Sequence, residues 1–249
     1  MAGTLLGAVW GSFIATWVIR AGRAQSVTGR SACDGCGRTL AIGDLVPLVS
    51  WAMQRGRCRT CQGRIDPLHP ATEALAGIIG GLCLWHAPNG GGAALFLLGL
   101  LLLTLALFDA RHFWLPHRLS ATTALAGLLF GGIATASLGI DAALTDRLIG
   151  CASGFALLWL IGAGYKMLRG RDGLGGGDAP MLAALGAWLG WAALPMLLLF
   201  AALAGLAVAV TRSVNRDHGV THDWRLMRLP LGTLLALATP PTLWLLAHQ

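Results

Sequence analysis

Charge is what this sequence has least of. Only 12% of its 249 residues are charged, 11 acids against 18 lysines and arginines, while 55% are hydrophobic and the mean hydropathy is +0.67. An ordinary soluble domain carries about a quarter of its residues charged, so this composition excludes that class. No basic stretch precedes the first apolar run and no clear small-residue cleavage site follows it, which argues for a retained first helix over a removed secretion signal. No glycine-rich nucleotide fingerprint follows a strand pattern anywhere in the chain. Cysteine is sparse too, six in all, and Cys83 and Cys151 lie inside apolar runs, where a free thiol behaves as a small hydrophobe.

In place of charge there are apolar runs able to cross about 30 Å of hydrocarbon. They cover residues 3–19, 70–87, 93–108, 119–138, 148–168, 179–191, 194–210 and 229–247, with a tight turn at Gly190 and Trp191. The expected fold is an all-α polytopic membrane protein of about eight transmembrane helices. A net charge of +7 would suit nucleic acid, but the location of the basic residues excludes it. Seventeen of the 18 fall in alternate loops, beginning with the one between the first two runs, and only Arg147 falls on the other side. Cytoplasmic loops hold such an excess, so the basic loops are expected inside the cell and both chain ends outside it.

The longest polar segment, residues 21–66, carries Cys33-Asp34-Gly35-Cys36 and Cys58-Arg59-Thr60-Cys61 with 21 residues between the pairs. Paired thiolates at this spacing suit two knuckles closing a tetrahedral Zn(II) site, with Gly35 and Gly37 permitting the tight turns. Two disulfides are the alternative, which a reducing cytoplasm disfavours.

Two acids stand where apolar runs break. Asp109 ends the run 100–108, and Asp178 ends Gly173-Leu174-Gly175-Gly176-Gly177-Asp178. An ionisable residue at the mouth of an apolar helix is costly unless paired or solvated, and two acids at one depth can share a proton and activate water. The glycines are expected to adopt backbone conformations closed to other residues and to let a substrate strand approach. Plainer readings stand beside these. Asp178 suits the N-cap of the sixth run, with Pro180 in its first turn. Asp109 suits a solvated helix end paired with Arg111 or Arg118. Glu73, in Pro70-Ala71-Thr72-Glu73, belongs either to the site framework or to the interface as a snorkelling acid. His112, His117, His218 and His222 read as solvated or interfacial, and Trp114, Trp188, Trp191 and Trp224 as interfacial anchors.

Taken together, the Gly11-Ser12-Phe13 segment, the paired CxxC loop, Asp109 followed by Leu115-Pro116, and the Gly-x-Gly-Asp ending at Asp178 resemble the prepilin peptidases, or type IV leader peptidases, of type IV pilus and type II secretion systems. The likeness runs over nearly the whole chain. It implies a GxGD-type intramembrane aspartic protease with Asp109 and Asp178 as the catalytic pair and Gly175, Gly176, Gly177 and Glu73 at the substrate loop or its framework. It also implies a structural Zn(II) on Cys33, Cys36, Cys58 and Cys61, and an inner-membrane location with site and cysteine loop on the cytoplasmic side. The substrates would be prepilins or pseudopilins, cleaved after a Gly, with N-methylation of the new amino terminus from S-adenosylmethionine in many members. The chain would divide into an amino-terminal region, 1–92, and a peptidase membrane domain, 93–249. Three positions depart from the pattern: His117 where an acid follows Leu-Pro, Pro180 in place of a Lys, and Ala15 in place of an Asn. The last is expected to remove a polar contact from a cofactor pocket and weaken methylation. A zinc-loop scaffold would need the cysteines without the acids. A proton-coupled transporter would need the acids deeper, facing a pathway through the bilayer.

Overall fold

A computed structural model describes residues 1–171, 173–214 and 229–248, with the side chains of 212–214 left aside. Every one of the eight apolar stretches is helical. They form α1 (Ala2–Gly22), α3 (Leu68–His86), α4 (Gly90–His112), α5 (His117–Ala136), α6 (Leu144–Arg169), α7 (Asp178–Leu189), α8 (Leu194–Val214) and α9 (Leu231–Leu246). Between α1 and α3 lies the short α2 (Val49–Met53). Among the described residues, five helical stretches are long and apolar enough to cross a membrane: α1, α4, α5, α6 and Trp191–Thr211. The chain is a multi-pass membrane protein. It separates into two compact units, Met1–Leu100 and Leu101–Gln249.

The amino-terminal unit is built on α1 against α3. Gly3, Gly7 and Gly11 recur every fourth residue, which puts them on one stripe of α1. A β-carbon at Gly7 would collide with the Ala76 carbonyl, and one at Gly11 would lie 2.6 Å from the Thr72 oxygen. Small residues at this spacing let two backbones meet where lipid supplies no hydrophobic drive between helices.

In the carboxy-terminal unit the centre is α7. Eleven of its twelve residues are buried, against α5, α6 and α9, so lipid need not satisfy a helix too short to cross a bilayer. Gly127 and Gly131 of α5 make room for Trp188, and Gly150 of α6 meets Gly186 of α7 backbone to backbone. Trp188 is therefore a core residue and not an interfacial anchor: it is fully buried, and its Nε1–H donates to the Thr123 carbonyl at 2.9 Å. Trp114 and Trp191 are exposed, as expected. Gly190 takes φ 84° and turns the chain out of α7, as the turn expected there requires. Arg147 is buried against α5, donating to the Gly127 and Leu128 carbonyls at 3.1 Å each.

Candidate active site and metal centre

Asp109 sits in the last turn of α4. The helix stops because Phe113 enters the left-handed region (φ 51°) and its N–H closes back on the Asp109 carbonyl at 2.9 Å. The Asp109 side chain is 6% exposed, which removes the reading of a solvated helix end. Its Oδ2 accepts the Thr233 N–H at 2.7 Å. The Thr233 hydroxyl lies 3.2 Å from the same oxygen and 3.0 Å from the Ala106 carbonyl, so one hydrogen is shared between two acceptors. Thr233 is the third residue of α9. First-turn N–H groups have no partner within their own helix, and here one of them is satisfied by a carboxylate.

Asp178 opens α7 and is 7% exposed. It does not cap the helix. Gly177 holds the N-cap position, and the Asp178 carboxylate reaches backwards, Oδ2 accepting the Gly175 N–H at 3.1 Å while the Asp178 N–H donates to the Gly175 carbonyl at 3.1 Å. The preceding glycines serve proximity rather than unusual conformation, for none of Gly173, Gly175, Gly176 and Gly177 has a positive φ. A β-carbon on Gly177 would lie 2.5 Å from Leu115 Cβ, and one on Gly175 would lie 3.0 Å from Asp178 Oδ2. Gly176 has open space.

The acids converge around Leu115. A β-carbon on Gly232 would stand 3.0 Å from Asp109 Oδ2, Leu115 Cδ1 and Met181 Sδ alike, while Leu115 also packs on Gly177. Gly232 and Thr233 escaped the sequence reading. Their only signal is a Pro, Gly and Thr opening the last apolar run, which is common at helix starts.

The four cysteines form one cluster, each Sγ within 4.8 Å of the others. Two near-identical turns build it. Cys33 N–H bonds the Arg38 carbonyl (2.8 Å) and Gly37 N–H the Cys33 carbonyl (2.9 Å); Cys58 N–H bonds the Gly63 carbonyl (2.9 Å) and Gln62 N–H the Cys58 carbonyl (3.1 Å). Gly37 (φ 69°) and Gln62 (φ 57°) occupy matching left-handed positions. Gly35 has no positive φ and faces Cys61 Sγ instead, at 3.4 Å from a built β-carbon. Cys33 Sγ and Cys61 Sγ stand 3.8 Å apart, which fits two corners of a tetrahedron of sulfurs about 2.3 Å from a common centre. Backbone N–H groups of Cys61 and Thr60 pull the Cys58 thiol down to about 6, while Cys61, despite the backbone N–H of Gly63, is pushed up to about 11 by Cys36, burial, Cys33 and Cys58. Asp44 ties the turns together, bonded to Arg38 at 2.8 Å and to Arg59 at 3.0 Å. Sequence reasoning passed over it.

Glu73 is buried, which removes the snorkelling reading, and its Oε2 accepts the Leu48 N–H at 2.7 Å. It lines a cavity of about 180 Å³ shared with Ser12 and Thr16 of α1, Cys33 and Cys58 of the turns, and His69.

Residues 5–87 match the bacterial peptidase A24 N-terminal domain, and residues 96–210 match the type IV leader peptidase family. A prepilin leader peptidase/N-methyltransferase of Aeromonas hydrophila is 36% identical over 210 residues, covering 84% of this chain and 69% of that protein. One from Burkholderia pseudomallei is 39% identical over 222 residues (86% and 67%), and one from Pseudomonas aeruginosa 34% over 215 (85% and 70%). The chain belongs to the type IV leader peptidase family. No solved structure matches it.

The structure places each of the three positions where the sequence was read as departing from the family pattern. His117, the first residue of α5, is exposed. Pro180 is the one residue of α7 outside the buried set, in the first turn, where a missing N–H is harmless. Ala15 is completely buried, on the same helix as Ser12 and Thr16, which line the cavity beside Glu73. His218, His222 and Trp224 lie outside the described residues.

Proposed function

We propose that the protein is a prepilin peptidase that removes the leader of prepilins or pseudopilins with Asp109 and Asp178 as a GxGD-type aspartic dyad. The observation that carries this reading is that two acids 69 residues apart in sequence are both buried and come together around Leu115 within one unit, in a chain of the type IV leader peptidase family. One carboxylate takes a proton from water while the other, protonated, polarises the scissile carbonyl, and the two titrate as a pair. Each acid has one oxygen held by a backbone N–H, from Thr233 and from Gly175, so either can serve as the ionised partner. The open space at Gly176 suits the approach of a substrate strand, and Gly175 and Gly177 hold Asp178 to it.

Eight spans in the inner membrane, with the acids and the cysteine loop on the cytoplasmic side, accord with the eight helices and with the bias of basic residues. A substrate with a basic leader in the cytoplasm and an apolar stretch in the bilayer presents the bond between them at that depth. Cys33, Cys36, Cys58 and Cys61 would hold Zn(II), which joins the two turns into one folded loop. The region 1–92 would carry the methyl transfer, for which S-adenosylmethionine supplies the methyl group, and 93–249 the cleavage. The cavity lined by Ser12, Thr16, His69 and Glu73 has the acidic and hydroxyl groups that suit a cationic, hydroxyl-bearing molecule. A scaffold reading leaves the two buried acids without a purpose, and a transporter reading would need them deeper in the bilayer, away from the helix ends where they stand.

The test is incubation of the protein in lipid nanodiscs with a prepilin, followed by intact mass of the product. Loss of the leader after a Gly is expected. An uncut substrate, with the enzyme folded, would overturn the assignment. Added methyl groups appear as increments of about 14 Da each.

A further inference from the structure

The cysteine loop carries an apolar surface that neither the dyad nor the metal turns use. Between residues 42 and 53, Ile42 (88% exposed), Leu45, Val46, Leu48, Val49 (53%), Trp51 and Met53 (74%) are all exposed. Single exposed apolar residues are ordinary, but seven in twelve positions of a polar loop are not.

The height of this segment along the helices is known. Leu48, held at φ 60°, donates its N–H to Glu73 Oε2 at 2.7 Å, and a β-carbon on Gly11 of α1 would lie 2.7 Å from the Glu73 Cα. Glu73 lies three residues inside the start of the apolar run 70–87, so Leu48, bonded to its carboxylate, stands near that end of α3, where an apolar run meets a polar loop. Along about two turns of α1, Trp10, Phe13 and Trp17 lie ring against ring with centroids 6.1 and 6.3 Å apart. Trp10 and Phe13 are exposed. The segment also runs into Arg55 and Arg57, which are exposed and form no ion pair among the described residues, a charge complementary to anionic headgroups. Its backbone is not left bare for lipid, since a 3-10 turn (Ile42–Asp44), α2 and the bond to Glu73 engage it.

We propose that residues 42–53 are an interfacial anchor: Ile42, Val46, Val49 and Met53 insert among the acyl chains at the membrane boundary, with Arg55 and Arg57 in the headgroups, and Glu73 pins the anchor to α3. A short amphipathic segment held at this depth lies in the plane of the membrane. The anchor would keep the cysteine turns and the cavity beside Glu73 against the bilayer surface.

The experiment places the photoreactive amino acid p-benzoylphenylalanine at Val49 or, separately, at Met53, in the full-length protein in nanodiscs of phosphatidylethanolamine and phosphatidylglycerol, with and without a prepilin. Irradiation should give adducts of phospholipid mass at both positions, whether or not substrate is present. Adducts to the prepilin, adducts to a second copy of the chain, or a probe that reacts only with solvent would each overturn the proposal. A second measurement needs no substitution. Peroxymonosulfate, an anion confined to water, should oxidise Met53 of the unmodified protein in nanodiscs at least about tenfold more slowly than in the urea-unfolded chain. Equal rates would show that the anchor lies in water.

Discussion

The two units each bury carboxylates, and they hold them for different ends. In the amino-terminal unit Glu73 accepts from the backbone of Leu48, so the acid shapes the loop that touches it and lines a cavity beside the cysteine turns. In the carboxy-terminal unit Asp109 and Asp178 are each held by one backbone N–H, from Thr233 and Gly175, close to Leu115. An acid that organises a loop needs a partner in that loop, whereas a pair proposed to work on water needs fixed positions with oxygen atoms to spare. A buried carboxylate is costly in either setting, and the geometry of its partner tells the two uses apart.

The largest effect should come from breaking the pair. Asp109→Asn and Asp178→Asn each remove one half of it, and leader cleavage in nanodiscs should fall by at least about a thousandfold, within the range that acid–base groups contribute. Circular dichroism and gel filtration should stay unchanged. Cleavage near the normal rate by either variant would end the dyad assignment.

Cys58→Ser should sharpen the contrast between the units. About one Zn(II) per chain should be found by elemental analysis of the unmodified protein, and it should be lost from this variant, since binding and folding free energy are one quantity at such sites. The loop should become protease-sensitive while the membrane helices persist. Leader cleavage within about tenfold of normal would fit independent units, in keeping with loss of structure confined to one of them. A loss as complete as that of Asp109→Asn would show that the cysteine loop serves the cleavage site directly.

Glu73→Gln keeps the size of the side chain and weakens the acceptor for Leu48. Methyl transfer, followed by mass spectrometry of the processed terminus, should fall by about tenfold, the worth of one charged hydrogen bond, with cleavage unaffected. Equal losses in both activities would merge what the structure separates.

The smallest effect is expected at Thr233, because its backbone N–H survives substitution. Thr233→Val removes only the shared hydroxyl and should lower kcat for cleavage about three- to tenfold at constant KM, with Thr233→Ser restoring it. A change confined to KM, or no rescue by Ser, would assign Thr233 to packing alone.

Much of this was legible in the residues. Apolar length located all eight helical stretches, because backbone groups in lipid must be satisfied within the segment that carries them. The spacing of the cysteine pairs announced a single cluster, because each CxxC turn is a local structure whose thiols point the same way. Asp109 and Asp178 stood out because acids at the ends of apolar runs are rare without a use. Tertiary structure alone decided what holds them. Thr233 meets Asp109 across 124 residues, Trp188 reaches Thr123 across 65, and the burial of α7 depends on three helices whose order in space no periodicity states. It also decided that Gly177 is there for close approach to Leu115 and Gly175 for close approach to the Asp178 carboxylate. Local pattern reports the cost of placing one residue in lipid or in a turn, but the partner that offsets that cost is chosen only when distant helices meet.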